Sequence, residues 1–278
     1  HPLSHSNQAI VSSHIQADLQ AGQLVGPVAT CLQPHIHTSP LGLIPKNHQV
    51  NKWRLIVDLS SPLKQSVNDG ISTDLASISY SSVDEAVQRI LHLGVGAQLA
   101  KLDLKNAYRI VPVHPQDQHL LGITWQDKVY VDRALPFGLR SAPKIFSAVA
   151  DMIAWALHCA GVEHLLHYLD DFLIVGAPGT DEAAQALSTA LRVLDFLGVP
   201  VSTHKTEGPA TQLTFLGILL DTTAFELRLP VDKIHRLQEL LRQWSNKKAC
   251  TKKELESFLG HLSHAATVVR PSQMASVP

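Results

Sequence analysis

The sequence predicts an α+β fold, an antiparallel sheet backed by helices. Three observations carry this expectation. His167-Tyr168-Leu169-Asp170-Asp171-Phe172 sets two adjacent acids between the apolar runs Leu165-Leu166 and Phe172-Leu173-Ile174-Val175, the pattern of a β-hairpin with carboxylates at its tip. Segments of helical period flank that hairpin on both sides. The order strand, helix, hairpin, helix then favours helices on one face of an antiparallel sheet.

The chain has 278 residues, 45% of them hydrophobic, enough for a buried core and one or two domains. Its 23 basic and 24 acidic residues leave a net charge of −1, so nucleic-acid binding would rely on local patches. The three cysteines, Cys31, Cys159 and Cys250, are odd in number and far apart, which predicts buried free thiols in a reducing compartment rather than a disulfide framework. No apolar run nears the ~18 residues of a membrane span, and no signal pattern opens the chain. Beginning at His1 rather than Met, it reads as a segment of a longer, intracellular product of the cytoplasm or nucleus. The sixteen histidines include zinc-compatible pairs, His35/His37, His164/His167 and His261/His264, but no compact four-ligand set accompanies them.

In chain order, a weakly amphipathic stretch around Ile10 to Leu24 predicts a short helix, ended by Gly22 and Gly26-Pro27. Two strands follow around a polar loop from Asn47 to Asn51, flanked by Lys46, Lys52 and Arg54, basic groups suited to polyphosphate or to a solvated edge strand. Ser82-Val83-Asp84-Glu85 has capping-box spacing and opens a helix stopped at Gly94. Leu99 to Leu104 alternates, with Lys101 and Asp103 on one face, and predicts a strand that closes on an exposed Asp103 carboxylate.

Leu135-Pro136-Phe137-Gly138-Leu139-Arg140-Ser141-Ala142-Pro143 is a turn-rich loop leading into a helix, with Ser141 as N-cap and Ile145, Phe146, Val149, Met152, Ile153, Ala156 and Leu157 as its apolar stripe to about Gly161. The helix after the acidic hairpin runs from about Asp181 to Leu197, with Leu187, Leu191, Leu194 and Leu197 inward. Gln212 to Leu220 reads as one strand, paired with a second from Phe225 to Leu229. A helical module follows from Val231, with Ile234, Leu237, Leu241 and Trp244 on one side, and Thr251-Lys252-Lys253-Glu254 capping its second helix. Arg242, Lys247, Lys248, Lys252 and Lys253 form the most basic patch of the chain, a solvated face or a phosphate-backbone contact.

An Asp-Asp pair alone is an ordinary turn. Asp103 at the end of a second strand alters that reading. Three carboxylates from adjoining strands make a hard-oxygen set suited to Mg²⁺, and two such ions about 4 Å apart can serve a phosphoryl displacement.

These motifs resemble the palm and fingers of reverse transcriptases over roughly residues 35–270. Tyr168-Leu169-Asp170-Asp171 matches the family's Tyr-x-Asp-Asp motif. Leu102-Asp103-Leu104-Lys105-Asn106-Ala107-Tyr108 looks like its first catalytic motif, Leu135-Pro136-Phe137-Gly138-Leu139 like its template and nucleotide-pocket loop, and Phe215-Leu216-Gly217 like its primer-grip hairpin. Ser39 to Lys46, Arg54-Leu55-Ile56, Ser66 to Ile71 and Ala265 to Pro271 are similar to DIRS-type retrotransposons, which integrate by a tyrosine recombinase.

The resemblance implies a right-hand polymerase with palm, fingers and a small helical thumb. It divides the chain into an N-terminal extension (1–34), mainly fingers (35–102), mainly palm (103–230, with a fingers loop about 115–145 and a primer-grip hairpin about 212–229), a partial thumb (231–270) and a tail (271–278). It implies that Asp103, Asp170 and Asp171 are catalytic and, with the Leu104 carbonyl, hold two Mg²⁺ ions, Mn²⁺ being a substitute. Lys46 and Arg54 would clamp the triphosphate, Tyr108 would gate the sugar against a 2′-hydroxyl, and Lys205 would lie near the triphosphate. Phe137 stands where retroviral members carry Gln, so packing replaces a hydrogen bond there. Lys247, Lys248, Lys252 and Lys253 would touch the duplex backbone.

The implied partners are an RNA or DNA template with its primer and deoxynucleoside triphosphates, and not a membrane. Ribonuclease H and recombinase domains would sit elsewhere on the parent polyprotein. An inactive nucleic-acid-binding relic and, more weakly, a His-rich zinc-binding protein are the alternatives.

Overall fold

The structure is a computed structural model that describes residues 5–29, 35–45, 53–78 and 80–268. The first elements in chain order are α1 (His5–Gln20), β1 (Leu24–Val28), β2 (Thr38–Ser39), β3 (Leu41–Pro45), β4 (Trp53–Val57), α2 (Val83–Leu93) and β5 (Gln98–Asp103). Next come β6 (Gly122–Trp125), β7 (Lys128–Asp132), α3 (Ala142–Cys159), β8 (Leu165–Tyr168), β9 (Asp171–Gly176), α4 (Glu182–Phe196) and β10 (Glu207–Ala210). Then follow β11 (Gln212–Phe215), β12 (Ile218–Asp221), β13 (Glu226–Arg228), α5 (Val231–Ser245) and α6 (Lys252–Ala266). The predicted α+β class is what the chain adopts.

The chain divides into two compact units, 1–80 with 104–153, and 81–103 with 154–278. In the first unit, β1-β7-β6-β2 form a sheet and β3-β4 a two-stranded ribbon. Val11 and Ile15 of α1 pack on Leu24, Ile123 and Tyr130, one hydrophobic cluster of that unit. Arg109 is held there by Asp132 at 2.7 Å and by Asp18 at 3.6 Å. Burial, the larger effect, outweighs the guanidinium and lifts both carboxyls above their usual range.

In the second unit, β10-β5-β9-β8 form an antiparallel sheet. α4 covers one face of β5 and β9. α2 and the β11-β12-β13 meander cover the other, burying Val83, Ala86 and Ile90 with Leu99, Leu173, Val175, Phe215 and Ile218. Ser82 caps α2 by accepting from the Glu85 N–H, and Gly94 ends it at φ 99°, as the spacing predicts.

Several expectations are corrected. Asp103 is buried, only 5% exposed, because β5 is a central strand with both faces covered. Gln212 to Leu220 is two strands, broken where Leu216 and Gly217 take φ of 48° and 76° and reverse the chain. Leu197 is exposed, since α4 stops at Phe196 and the stripe ends with the helix. Cys159 and Cys250 are free but exposed, one at the end of α3 and the other in the turn before α6. Ile234 and Leu241 are also exposed, and neither α5 nor α6 buries a residue; the module is joined instead by Trp244 stacking on Phe258 at 4.2 Å. Lys46, the loop from Asn47 to Asn51, Lys52, Cys31 and Arg270-Pro271 lie outside the described residues.

Candidate active site

Antiparallel register brings the acids together. Asp103, the last residue of β5, lies directly opposite Asp171, the first of β9, and Asp171 in turn faces Tyr168 across the hairpin. Leu169 at φ 53° and Asp170 form the two-residue reversal between β8 and β9. Directly opposed strand residues have Cβ atoms about 5 Å apart, and like charges there are destabilising unless a cation intervenes.

The electrostatics register that crowding. Burial and then the charges of Asp170 and Asp103 push the Asp171 carboxyl up to about 6, against the opposing pull of Lys101 and Lys205. Asp170 is also raised, chiefly by burial. Lys205 Nζ donates to Asp103 Oδ2 at 2.8 Å, which raises the lysine's own pKa, and the Ser202 N–H donates to the Asp103 carbonyl at 2.8 Å. Lys101 faces Glu207 at 3.0 Å and donates to the Thr214 carbonyl at 3.1 Å, tying β5 to β11.

Among the described residues, no three His, Cys, Asp or Glu side chains are gathered as a ready ligand set, and Asp103 Oδ2 is engaged by Lys205. The donor chemistry nevertheless fits a hard divalent cation. Three carboxylates lie close enough to act on one another, with Lys205 and Lys101, the latter shared with Glu207, as the cations beside them. Carboxylate oxygens of this kind suit a hard divalent cation, while Asp103 Oδ2 itself is paired with Lys205.

The nucleotide-site candidates lie in the first unit. Tyr108, in a 3-10 turn over Ala107–Ile110, sets its ring edge-on to Phe137 at 5.0 Å and to buried Phe146 at 5.3 Å. Phe137 is half-exposed at the tip of its loop. Arg54 is exposed on β4, opposite Ile44 of β3. Leu104 is buried beside Asp103 in sequence.

One residue went unrecognised in the sequence as a support of the site. Asn68, 4% exposed, donates through Nδ2 to the Gly138 carbonyl at 2.9 Å and accepts the Arg140 N–H through Oδ1 at 2.7 Å, clamping the loop that carries Phe137. Arg140 in turn donates to the Ile71 carbonyl at 2.7 Å. A Ser66 capping box orders the turn that presents Asn68, and that Ser-x-x-Asp spacing was the available signal.

In the second unit, Phe215 is a core side chain, while Leu216 and Gly217 make the turn between β11 and β12. The Leu216 carbonyl lies 3.2 Å from His264 Nε2 of α6. Of the lysines around the turn between α5 and α6, Lys247 pairs with Glu254 at 2.8 Å and sits over Trp244, and Lys252 approaches Glu256 at 3.7 Å. Lys248 and Lys253 are exposed.

The family model described as Reverse transcriptase (RNA-dependent DNA polymerase) matches residues 44–220. The chain is 23% identical over 279 residues to the Transposon Tf2-3 polyprotein of Schizosaccharomyces pombe and 22% to the Tf2-7 polyprotein, covering 100% of itself and 19% of each. It therefore spans about a fifth of these relatives' length. Among solved structures, the foamy viral protease-reverse transcriptase with RNA/DNA hybrid superposes at TM-score 0.70 and 21% identity, over 100% of this chain and 34% of that one. The same viral protein with dsDNA gives TM-score 0.70 and 22% identity, over 95% and 49%. The chain belongs to the reverse transcriptase (RNA-dependent DNA polymerase) family, and its fold is that of retroviral polymerase domains.

Proposed function

We propose that this domain is an RNA-directed DNA polymerase that extends a primer 3′-hydroxyl with deoxynucleoside triphosphates on an RNA or DNA template. The observation that carries the reading is the cross-strand pair Asp103–Asp171 with Asp170 at the adjoining turn. In the reaction the primer hydroxyl oxygen bonds to the α-phosphorus and gives up its proton to solvent, the bond from that phosphorus to the bridging oxygen breaks, and pyrophosphate leaves with that electron pair. Bound Mg²⁺, or Mn²⁺ in its place, would supply charge neutralisation for the attacking and leaving oxygens. Asp103, Asp170 and Asp171, with the Leu104 carbonyl, would hold it. Lys205 contributes a positive charge beside Asp103 and, by resemblance, near the triphosphate. Arg54, with Lys46, binds phosphate oxygens. Tyr108, braced by Phe146 and Phe137, excludes a 2′-hydroxyl.

The related viral protein's complexes with RNA/DNA hybrid and dsDNA support template–primer as the partner. Ser39 to Lys46, Arg54 to Ile56 and Ser66 to Ile71 support a DIRS-type parent, whose polyprotein would add ribonuclease H and recombinase domains. Primer extension on an RNA template with Mg²⁺, beside an Asp170→Asn control, tests the activity. Extension by wild type and loss by at least ~100-fold in the variant is expected, since removing a charge-stabilising group from a reaction centre costs that order. Equal signal from both proteins removes the reading.

A further inference from the structure

A cavity of about 590 Å³ lies wholly within the first unit, walled by the segment around Asn68, the run from Val111 to Leu121 and the loop that leads into α3. Its walls are chiefly aliphatic, with Ile71, Val111, Leu121, Leu135 and Ile145 among them, and none of the described lining residues is Lys or Arg. The size suits a small organic ligand, and walls without fixed cations are unlike a phosphate-binding surface. These walls are also tied to one another. The Leu135 N–H donates to the Val111 carbonyl at 2.8 Å, Arg140 donates to the Ile71 carbonyl at 2.7 Å, and Asn68 holds Gly138 and Arg140. A cavity formed in advance lowers the ordering cost of filling it.

His37 adds a second, independent observation. It lines the cavity, its Nε2 is buried, and that nitrogen has no hydrogen-bond partner among the described residues. Its backbone is fixed, because its N–H donates to the His119 carbonyl at 2.8 Å and its carbonyl accepts the Gly122 N–H at 2.9 Å. A Cβ at residue 122 would come within 2.6 Å of that carbonyl, so glycine there is what lets His37 take this place. A buried ring nitrogen left unpaired costs stability, and native proteins hold few of them.

We infer that this cavity is a binding site for an uncharged hydroxyaromatic molecule, its ring seated between the aliphatic walls and its hydroxyl hydrogen-bonded to His37 Nε2. A rigid ring buries apolar area while losing little conformational freedom. A hydroxyl both donates and accepts, so it completes Nε2 in either neutral tautomer of the imidazole. The inference does not depend on the polymerase reading.

The test uses 2-naphthol as the probe and naphthalene, which lacks the hydroxyl, as its control. Calorimetric titration gives the affinities, NMR follows the His37 imidazole, and melting temperatures report the fold of each protein. Wild type is expected to bind 2-naphthol roughly tenfold more tightly than naphthalene, the factor one buried hydrogen bond supplies, with a shift of the His37 imidazole resonances. His37→Phe is expected to bind the two compounds equally and, unliganded, to melt above wild type, since the unpaired nitrogen is gone. Ile145 is 40% exposed where it lines the cavity, so Ile145→Trp adds bulk without invading the core and is expected to bind neither compound.

Equal affinity of wild type for the two compounds, or binding of neither, overturns the site. So does a tenfold preference that survives in His37→Phe, or undiminished binding by a folded Ile145→Trp. If His37→Phe does not fold, the wild-type affinities and the His37 resonances decide alone. A primer–template duplex forms the last arm. Duplex that displaces 2-naphthol from wild type and binds His37→Phe more weakly marks the cavity as a seat for a nucleic-acid base and overturns the small-molecule assignment. Failure of wild type to bind duplex or extend a primer counts against the polymerase reading and leaves this site standing.

Discussion

Lys205 and Asp103 form a 2.8 Å ion pair in which the lysine is half-exposed and the carboxylate buried. On the proposed reading, Lys205 would compete with a divalent cation for Asp103. Replacing Lys205 with Gln is expected to lower the metal-free melting temperature by a few degrees, since it leaves a buried carboxylate without its cation at a cost of about 1 kcal/mol after solvent screening. The same change is expected to tighten Mg²⁺ binding several-fold. Thermal shift against Mg²⁺ concentration checks both, and unchanged half-saturation would show that Lys205 and the metal do not compete.

Asp171 gives the opposite sign. Its folded pKa of about 6 exceeds the unfolded value of 3.8, so the folded protein binds the extra proton between those limits. Metal-free stability is therefore expected to fall as pH rises from about 4 to 6 through this group, and to level off above. Asp171→Asn is expected to raise the metal-free melting temperature by a few degrees near pH 7 and to abolish most of the Mg²⁺-induced stabilisation. Urea unfolding across pH, with and without Mg²⁺, reads both effects.

Glu254 titrates in the other direction. The Lys247 ammonium, then the Thr251 backbone and hydroxyl of the capping box, lower its carboxyl from 4.5 to about 2. The cap's contribution is present above pH 4.5 and lost as pH falls toward 2. Amides in the first turn of α6 are expected to lose hydrogen-exchange protection over that window, and Glu254→Gln to show the loss without the pH dependence.

The helices and the acidic hairpin were legible in the sequence because each is governed by neighbours in the chain. Ser82, Gly94 and Thr251 act on adjacent backbone, and the strands around Asp170-Asp171 are marked by their own apolar runs on either side of the acids. What was not legible depends on distant partners. The burial of Asp103 follows from β10 and β9 flanking β5 and from layers on both faces, and its bond to Lys205 joins residues far apart in sequence. The break at Leu216-Gly217 was local, yet the mostly apolar stretch on both sides of it read as one strand, although Gly217 was the available signal. Likewise nothing near Asn68 announces a partner at Gly138.

That Asn68 clamp yields its own expectation. Asn68→Ala leaves the Gly138 carbonyl and the Arg140 N–H without partners beside a buried site, at a cost of about 2–3 kcal/mol to stability. Because the loop carries Phe137, KM for deoxynucleotide is expected to rise several-fold. The Mg²⁺-induced thermal shift, which depends on Asp103, Asp170 and Asp171, is expected to persist. A fall in kcat with unchanged KM would show that the clamp does not act through the nucleotide.

Tyr108 separates shape from hydrogen bonding. Its ring is held edge-on by Phe146, which is fully buried, and by Phe137, so its orientation comes from packing. Tyr108→Phe keeps that volume and is expected to retain discrimination against ribonucleotides within a few-fold. Tyr108→Val removes the ring and is expected to admit ribonucleotides, raising their relative kcat/KM by ~100-fold or more if the exclusion is steric, an increment of about 3 kcal/mol. Single-nucleotide incorporation with matched deoxy- and ribonucleoside triphosphates measures the ratio. If Tyr108→Phe relaxes selectivity as far as Tyr108→Val does, the hydroxyl rather than the ring excludes the ribose, and the aromatic packing around Tyr108 serves only the fold.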